Sequence, residues 1–199
     1  MSAGVDAVNA YLERLPAGID SYPECQTKGA AIRSYLDTLP AMALPDALPA
    51  RLSLLLERPP LASGWISEVQ WHALMIFFGS EVFGERGYLD SVYDSNLALL
   101  SSMTYRVLFR LVSTRAVLAQ AASRWSLFHR GTTLETVGRI ARKQGVLRLT
   151  TPAHHCPPLI GQGYAEAFRA AAVASGPSDA EVEITEHSPT VLEFAVRWT

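Results

Sequence analysis

The closing stretch, "AEVEITEHSPTVLEFAVRWT" (180–199), decides how the whole chain is read. Val182 and Ile184 fall on one side, with Glu181 and Glu183 opposite. Leu192, Phe194, Val196 and Trp198 then share a face, against Glu193 and Arg197. A period of two places successive side chains on opposite faces, so each run predicts a strand with one covered and one wet face. Ser188-Pro189 marks the turn between them.

Working upstream, Ser175-Gly176-Pro177 stops a helix whose apolar positions are Leu159, Gly163, Tyr164, Ala167, Phe168 and Ala171. Before it, "TTLETVGRIARKQGVLRLTT" (132–151) predicts a second hairpin, turning around "RKQG" with Gly145 supplying a positive φ. Ahead of about residue 128 nearly everything reads as helix. Ser67 is a cap, with Trp71, Leu74, Met75 and Phe78 forming a stripe behind it; a break is expected near Ser101-Ser102 and a cap at Ser113 or Thr114. The expected fold is therefore α+β: a helical N-terminal layer followed by a hairpin-helix-hairpin antiparallel four-stranded sheet. It reads as one domain over 1–199, with a helical part of about 1–127 and a sheet-plus-helix part of about 128–199, since neither part could bury its apolar face alone.

This order of elements resembles the fold shared by heme nitric-oxide sensor domains, vinyl-4-reductase-type sensor domains and TRAPP subunits. The stretches "KGAAIRSYLDTL", "GWISEVQWHALM", "PPLIGQGYAEAFRAAAVASG" and "VLEFAVRW" look more specifically like a paralogous family of myxobacteria, a resemblance that carries a fold and no reaction. It implies pairing of two copies through the helical layer. The sensors resemble one another in a proximal histidine on a helix and a Tyr-x-Ser-x-Arg pattern. Here Tyr105, Ser113 and Arg115 do not stand at that spacing, and no histidine lies between His72 and His129. No cofactor is expected.

Nearly half of the 199 residues (49%) are apolar and the formal net charge is −2, with no run of lysine or arginine. That excludes a dedicated nucleic-acid surface. The longest apolar runs fall far short of a membrane span, so no membrane insertion is expected. Two distant cysteines, no CxxC and no basic-then-apolar leader point to a cytoplasmic setting with free thiols.

Chemistry concentrates in "TPAHHCPPLIGQGY" (151–164). Pro157 suits a first helical position, which would put Cys156 near a helix N-cap, where the helix dipole favours a thiolate. Cys156 with His154 or His155 as base is the catalytic alternative. His154 and Cys156 are the metal alternative, which His129, His187 or Cys25 could complete only through folding. The plainer reading is a strand-to-helix bend with semi-exposed histidines and no catalytic or metal role. Glu181, Glu183 and Glu186 read as a wet strand face, and Arg106, Arg110 and Arg115 as a solvated helix face. Gly161 and Gly163 form too weak a signal for phosphate, without a Walker lysine. Trp65, Trp71, Phe77 and Phe78 are core or cavity lining. The chain reads first as a non-catalytic binding protein, a sensor, adaptor or biosynthetic-pathway helper. Its ligand would be a small hydrophobic molecule at Trp71, Phe78, Tyr105, Tyr164 and Phe168, or a peptide or protein partner added at a sheet edge.

Overall fold

The computed structural model describes residues 2–39, 44–110 and 113–199, with the side chains of 107–110 outside the description. Those side chains include that of Arg110, so its place in the expected arginine face lies outside the described residues. Arg106 and Arg115 are exposed.

The C-terminal part follows the alternation. Strands β4 (Thr133–Val137) and β5 (Gln144–Thr150) form one hairpin, and β6 (Ala180–His187) and β7 (Val191–Trp198) the other. Helix α9 (Pro158–Ala174) joins them. The sheet order is β4-β5-β7-β6, antiparallel throughout. Its central register sets Leu147 opposite Phe194 and Leu149 opposite Leu192, so four large apolar side chains meet on the covered face. Phe194, Leu192 and Leu149 are fully buried, each worth roughly 1.5–3 kcal/mol of apolar transfer. Glu181, Glu183 and Glu186 line the wet side.

Two details of the second half differ from the sequence reading. The positive φ in the first hairpin belongs to Gly138 (φ 66), not Gly145. Gly145 sits inside β5 opposite Val196, where a Cβ would lie 2.8 Å from Leu118 Cδ2; it is small because a helix packs on it. Pro157 is the N-cap of α9 and Pro158 its first residue, so Cys156 precedes the cap.

The N-terminal layer holds α1 (Ala3–Leu12), α2 (Gly29–Leu36), α3 (Ala50–Glu57), α4 (Glu68–Phe77), α5 (Gly84–Ser101), α6 (Met103–Arg110), α7 (Thr114–Ala119) and α8 (Ala121–Trp125). The break at Ser101-Ser102 and the Ser113 cap fall where the sequence placed them, with Ser113 Oγ accepting from Ala116 N–H. A π-helical turn, Phe78–Phe83, links α4 to α5. Helix α5 lies on α9 at glycines: a Cβ on Gly163 would stand 2.5 Å from Tyr88 Oη. One hydrophobic cluster runs from Val5 and Val8 of α1 through Leu74 and Phe77 of α4 to Leu149 and Phe194 of the sheet.

Three short strands were not legible in the sequence, two in the helical part and one just beyond it. β1 (Gln26–Lys28) lies between β2 (Trp65–Ser67) and β3 (His129–Arg130), all antiparallel. This small sheet brings three distant segments of the chain to one place.

Candidate functional site

The small sheet pairs Gln26 with Ser67 on one side and Thr27 with His129 on the other. Cys25 precedes β1, Glu68 follows β2, and the Glu68 N–H donates to the Cys25 carbonyl at 2.9 Å. Ser67 caps α4 by accepting from Gln70 N–H at 3.4 Å. Glu68 therefore stands in the first turn of a helix, where negative charge is favoured by the unpaired amides. Yet its carboxylate is wholly buried (0% exposed), and a buried charge persists only with partners.

Those partners are histidines and a tyrosine. His129 Nδ1–H donates to Glu68 Oε1 at 2.5 Å, and Tyr164 Oη donates to the same oxygen at 2.9 Å. His155 Nε2 lies 3.8 Å from Glu68 Oε2. Burial alone would raise the Glu68 pKa, but His129, then His72 and His155, bring it down to about 2. Glu68 is thus an anion in a dry pocket. His72, fully buried on α4, donates Nδ1–H to the His155 carbonyl at 3.0 Å and sets Nε2 3.0 Å from Tyr164 Oη. Burial, reinforced by His155, lowers the His72 pKa to about 3, so the ring is neutral. Tyr164 then has one proton for two acceptors, Glu68 Oε1 and His72 Nε2. Burial and the adjacent carboxylate push the Tyr164 phenol well up. Trp125 stacks on His129 with centroids 3.6 Å apart and planes 8° from parallel, closing the network on the cavity side.

The bend singled out in the sequence contributes unevenly. His155 is fully buried and enters the network, whereas His154 is exposed at φ 60. The sequence treated both histidines as semi-exposed; the left-handed turn at His154 swings its neighbour inward. The His155 carbonyl accepts from Tyr11 Oη at 2.9 Å as well as from His72, and Tyr22 Oη donates to the Ala153 carbonyl at 2.9 Å. Cys156 is buried, and burial followed by the Glu68 charge pushes its thiol well up. This is the reverse of a thiolate held at a helix N-cap. Among the described residues no hydrogen bond joins the Cys156 thiol to an imidazole, and His187 Nε2 donates instead to the Cys156 carbonyl at 2.9 Å. Among the described residues, the group of three ligand-type side chains that converges is Cys25, Glu68 and His155, whereas His154 and Cys156 both border a separate surface pocket.

Beside the network lies a cavity of about 170 Å³. Leu99, Leu118, Phe128, Leu134 and Phe168 give it an apolar wall, and His72, His129 and Tyr164 give it a polar end. Of the expected ligand contacts, Trp71, Tyr164 and Phe168 line it. Phe78 does not; it is fully buried core stacked on Tyr35 at 6.0 Å. Tyr105 also lies outside the lining, packed on Phe128 at 5.0 Å. Gly161 and Gly163 serve packing: a Cβ on Gly161 would stand 2.8 Å from Leu192 Cδ2. Sequence reasoning missed Glu68 altogether, because a first-turn acid normally reads as a solvated helix end.

No protein-family model matches the chain, and no curated protein matches it. Solved structures do. A Fe(II) unliganded H-NOX protein mutant from K. algicida superimposes with a TM-score of 0.55 at 9% identity, over 86% of this chain and 96% of that one. An H-NOX protein from S. oneidensis in the Fe(II)NO ligation state gives 0.53 at 12% identity, over 86% and 99%. A further structure, from work on heme distortion in the H-NOX family, gives 0.55 at 9% identity, over 86% and 95%.

Heme is thereby put to this chain's residues, and they do not fit it. The cavity is well below the ~300 Å³ at which sites for larger ligands begin. Of the two histidines that border it, His72 is engaged through both ring nitrogens, and His129 is bonded through Nδ1 to Glu68 with its ring face covered by Trp125. No helix among the described residues is long and apolar enough to cross a membrane. What the chain has in common with these structures is the α+β architecture of the H-NOX fold.

Proposed function

We propose that this chain is a non-catalytic ligand-binding domain that takes one small, largely apolar molecule between α5, α9 and the sheet. The cavity carries the reading: about 170 Å³, its wall mainly apolar, with Thr27, Ser95, Asn96 and Arg124 in the lining and a polar end made by His72, His129 and Tyr164. A cavity of ~150 Å³ accommodates a benzene ring, so the ligand is of one-ring size with a single polar group directed at Tyr164. A sensor role accords with the H-NOX likeness in fold, and the quoted sequence stretches support a place in the myxobacterial paralogous family.

Trp71 and Trp125 both border the cavity, so intrinsic fluorescence reports occupancy. Phenol and indole at ~100-fold above Kd should add about 2.7 kcal/mol, a rise in Tm of several degrees for a chain of this length. Ala167→Phe, which projects a ring from α9 into the cavity, should abolish both signals. Neither probe binding, or binding unaltered by Ala167→Phe, would dispose of this reading.

A further inference from the structure

We propose that Cys25, Glu68 and His155 form a binding site for one divalent transition-metal ion of the zinc class. Their Sγ, carboxylate oxygen and ring nitrogen all lie within 4.8 Å of one another, and all three residues are buried. Glu68 and His155 are each 0% exposed, and among the described residues Glu68 Oε2, His155 Nδ1 and His155 Nε2 have no hydrogen-bond partner. Buried polar atoms are nearly always paired. Here three unpaired ones belong to two facing side chains, with a thiol beside them. Bonds of ~2.0–2.3 Å in a tetrahedral site set neighbouring donors roughly 3.3–3.8 Å apart. For a nitrogen–oxygen pair that separation is about 3.3–3.5 Å, so the His155 Nε2 to Glu68 Oε2 distance of 3.8 Å closes by a few tenths of an ångström when the ion binds.

The donor set selects the ion. A thiolate and an imidazole suit zinc, cobalt or ferrous iron, and do not suit magnesium or calcium. Thiolate and carboxylate together balance a divalent charge in a dry place. Three protein donors leave a fourth position for water or an exogenous group. Two of the donors are also held from behind, as metal ligands are. His129 binds the other Glu68 oxygen at 2.5 Å. Cys25 gives up its thiol proton, and with it the 3.5 Å bond to the Gly131 carbonyl, when it binds the ion as a thiolate. Tyr11 and His72 fix the His155 main chain.

The backbone supplies a separate observation. Among the described residues the two non-glycine positions with positive φ are Tyr22 (φ 53) and His154 (φ 60). One lies three residues before Cys25 and the other directly before His155, and Tyr22 Oη bridges to Ala153. Strained residues persist where the surroundings hold them and cluster at functional sites. Both strained turns aim a donor at the same point. The ion would tie the β1 segment, α4 and the bend ahead of α9 into one unit, whether or not the cavity is filled.

The full chain, stripped with chelator, is titrated with Zn²⁺ and with Co²⁺. About one equivalent should bind, and Co²⁺ should give a near-ultraviolet thiolate charge-transfer band. Cys25→Ser should remove the band and weaken Zn²⁺ binding ~100-fold or more, and Glu68→Gln and His155→Gln should each cost at least the ~10–100-fold that losing even an outer partner of a ligand costs. His154→Ala should change affinity less than about twofold. X-ray absorption on the zinc-loaded wild-type chain needs no variant and should show one sulfur neighbour among nitrogen and oxygen. An all-nitrogen-and-oxygen shell, a band lost in Cys156→Ser instead of Cys25→Ser, or no stoichiometric ion at all would each overturn the assignment.

Discussion

Replacing Tyr164 by Phe deletes one oxygen and leaves the stack on Phe168 and the edge-to-face contact with Trp125 in place. The lost hydroxyl donates to the buried Glu68 carboxylate at 2.9 Å and stands 3.0 Å from His72 Nε2. A hydrogen bond to a charged group contributes about 1.5–3 kcal/mol, and a buried ring nitrogen left facing a void costs about 1 kcal/mol more. The expected loss is therefore about 3 kcal/mol. Tyr35→Phe is the matched control. Its hydroxyl, on a side chain equally packed against aromatic rings, meets only the neutral Ser91 Oγ at 2.9 Å, so its loss should cost about 1 kcal/mol. Urea unfolding in the presence of chelator, with equal m-values for the three proteins, reads the difference directly. In a chain of this length each kcal/mol moves Tm by about 2–4 °C, so the two variants should melt at clearly different temperatures. Equal losses would mean that Glu68 is not held as a dry carboxylate, and the electrostatic account of the site would fail.

Gly131 has φ 75, and a Cβ there would lie 2.6 Å from the Glu24 carbonyl oxygen and 2.7 Å from Cys25 N; Gly131→Ala should cost about 2–4 kcal/mol by strain and overpacking together, and a urea midpoint close to wild type would contradict that packing. Burial pushes the Tyr35 phenol up to about 12 against the Ser91 hydrogen bond, and pushes Tyr88 well up too. Since folding holds these protons, stability is intact below the ordinary tyrosine pKa of 10.0 and falls as pH rises toward 12, by up to ~1.4 kcal/mol per pH unit for each tyrosine. Unfolding midpoints measured across that window should decline, less steeply in Tyr35→Phe, and a flat profile would count against the burial.

The C-terminal sheet was open to inspection because alternation is a local property. Leu192, Phe194 and Val196 are two residues apart, so a strand with one buried face follows from the chain itself. Caps at Ser67 and Ser113 were legible for the same reason: a side-chain oxygen reaches an amide three residues on. The strands of the small sheet were not, because two or three residues carry no period, and Trp65–Ser67 runs straight into a helix.

The site lay beyond local patterns entirely. The sequence named His155, Cys25 and His129 separately and Glu68 not at all. Cys25 and His155 are 130 positions apart, and nothing in either neighbourhood selects the other. The pairing of β1 with β2 and β3, and the left-handed turn at His154, bring these groups around one buried carboxylate. Local periodicity determined the strands, the long helices and the face each strand buries. Only tertiary packing decided which distant polar groups share a dry space, because desolvation and pairing depend on what surrounds an atom and not on its neighbours in the chain.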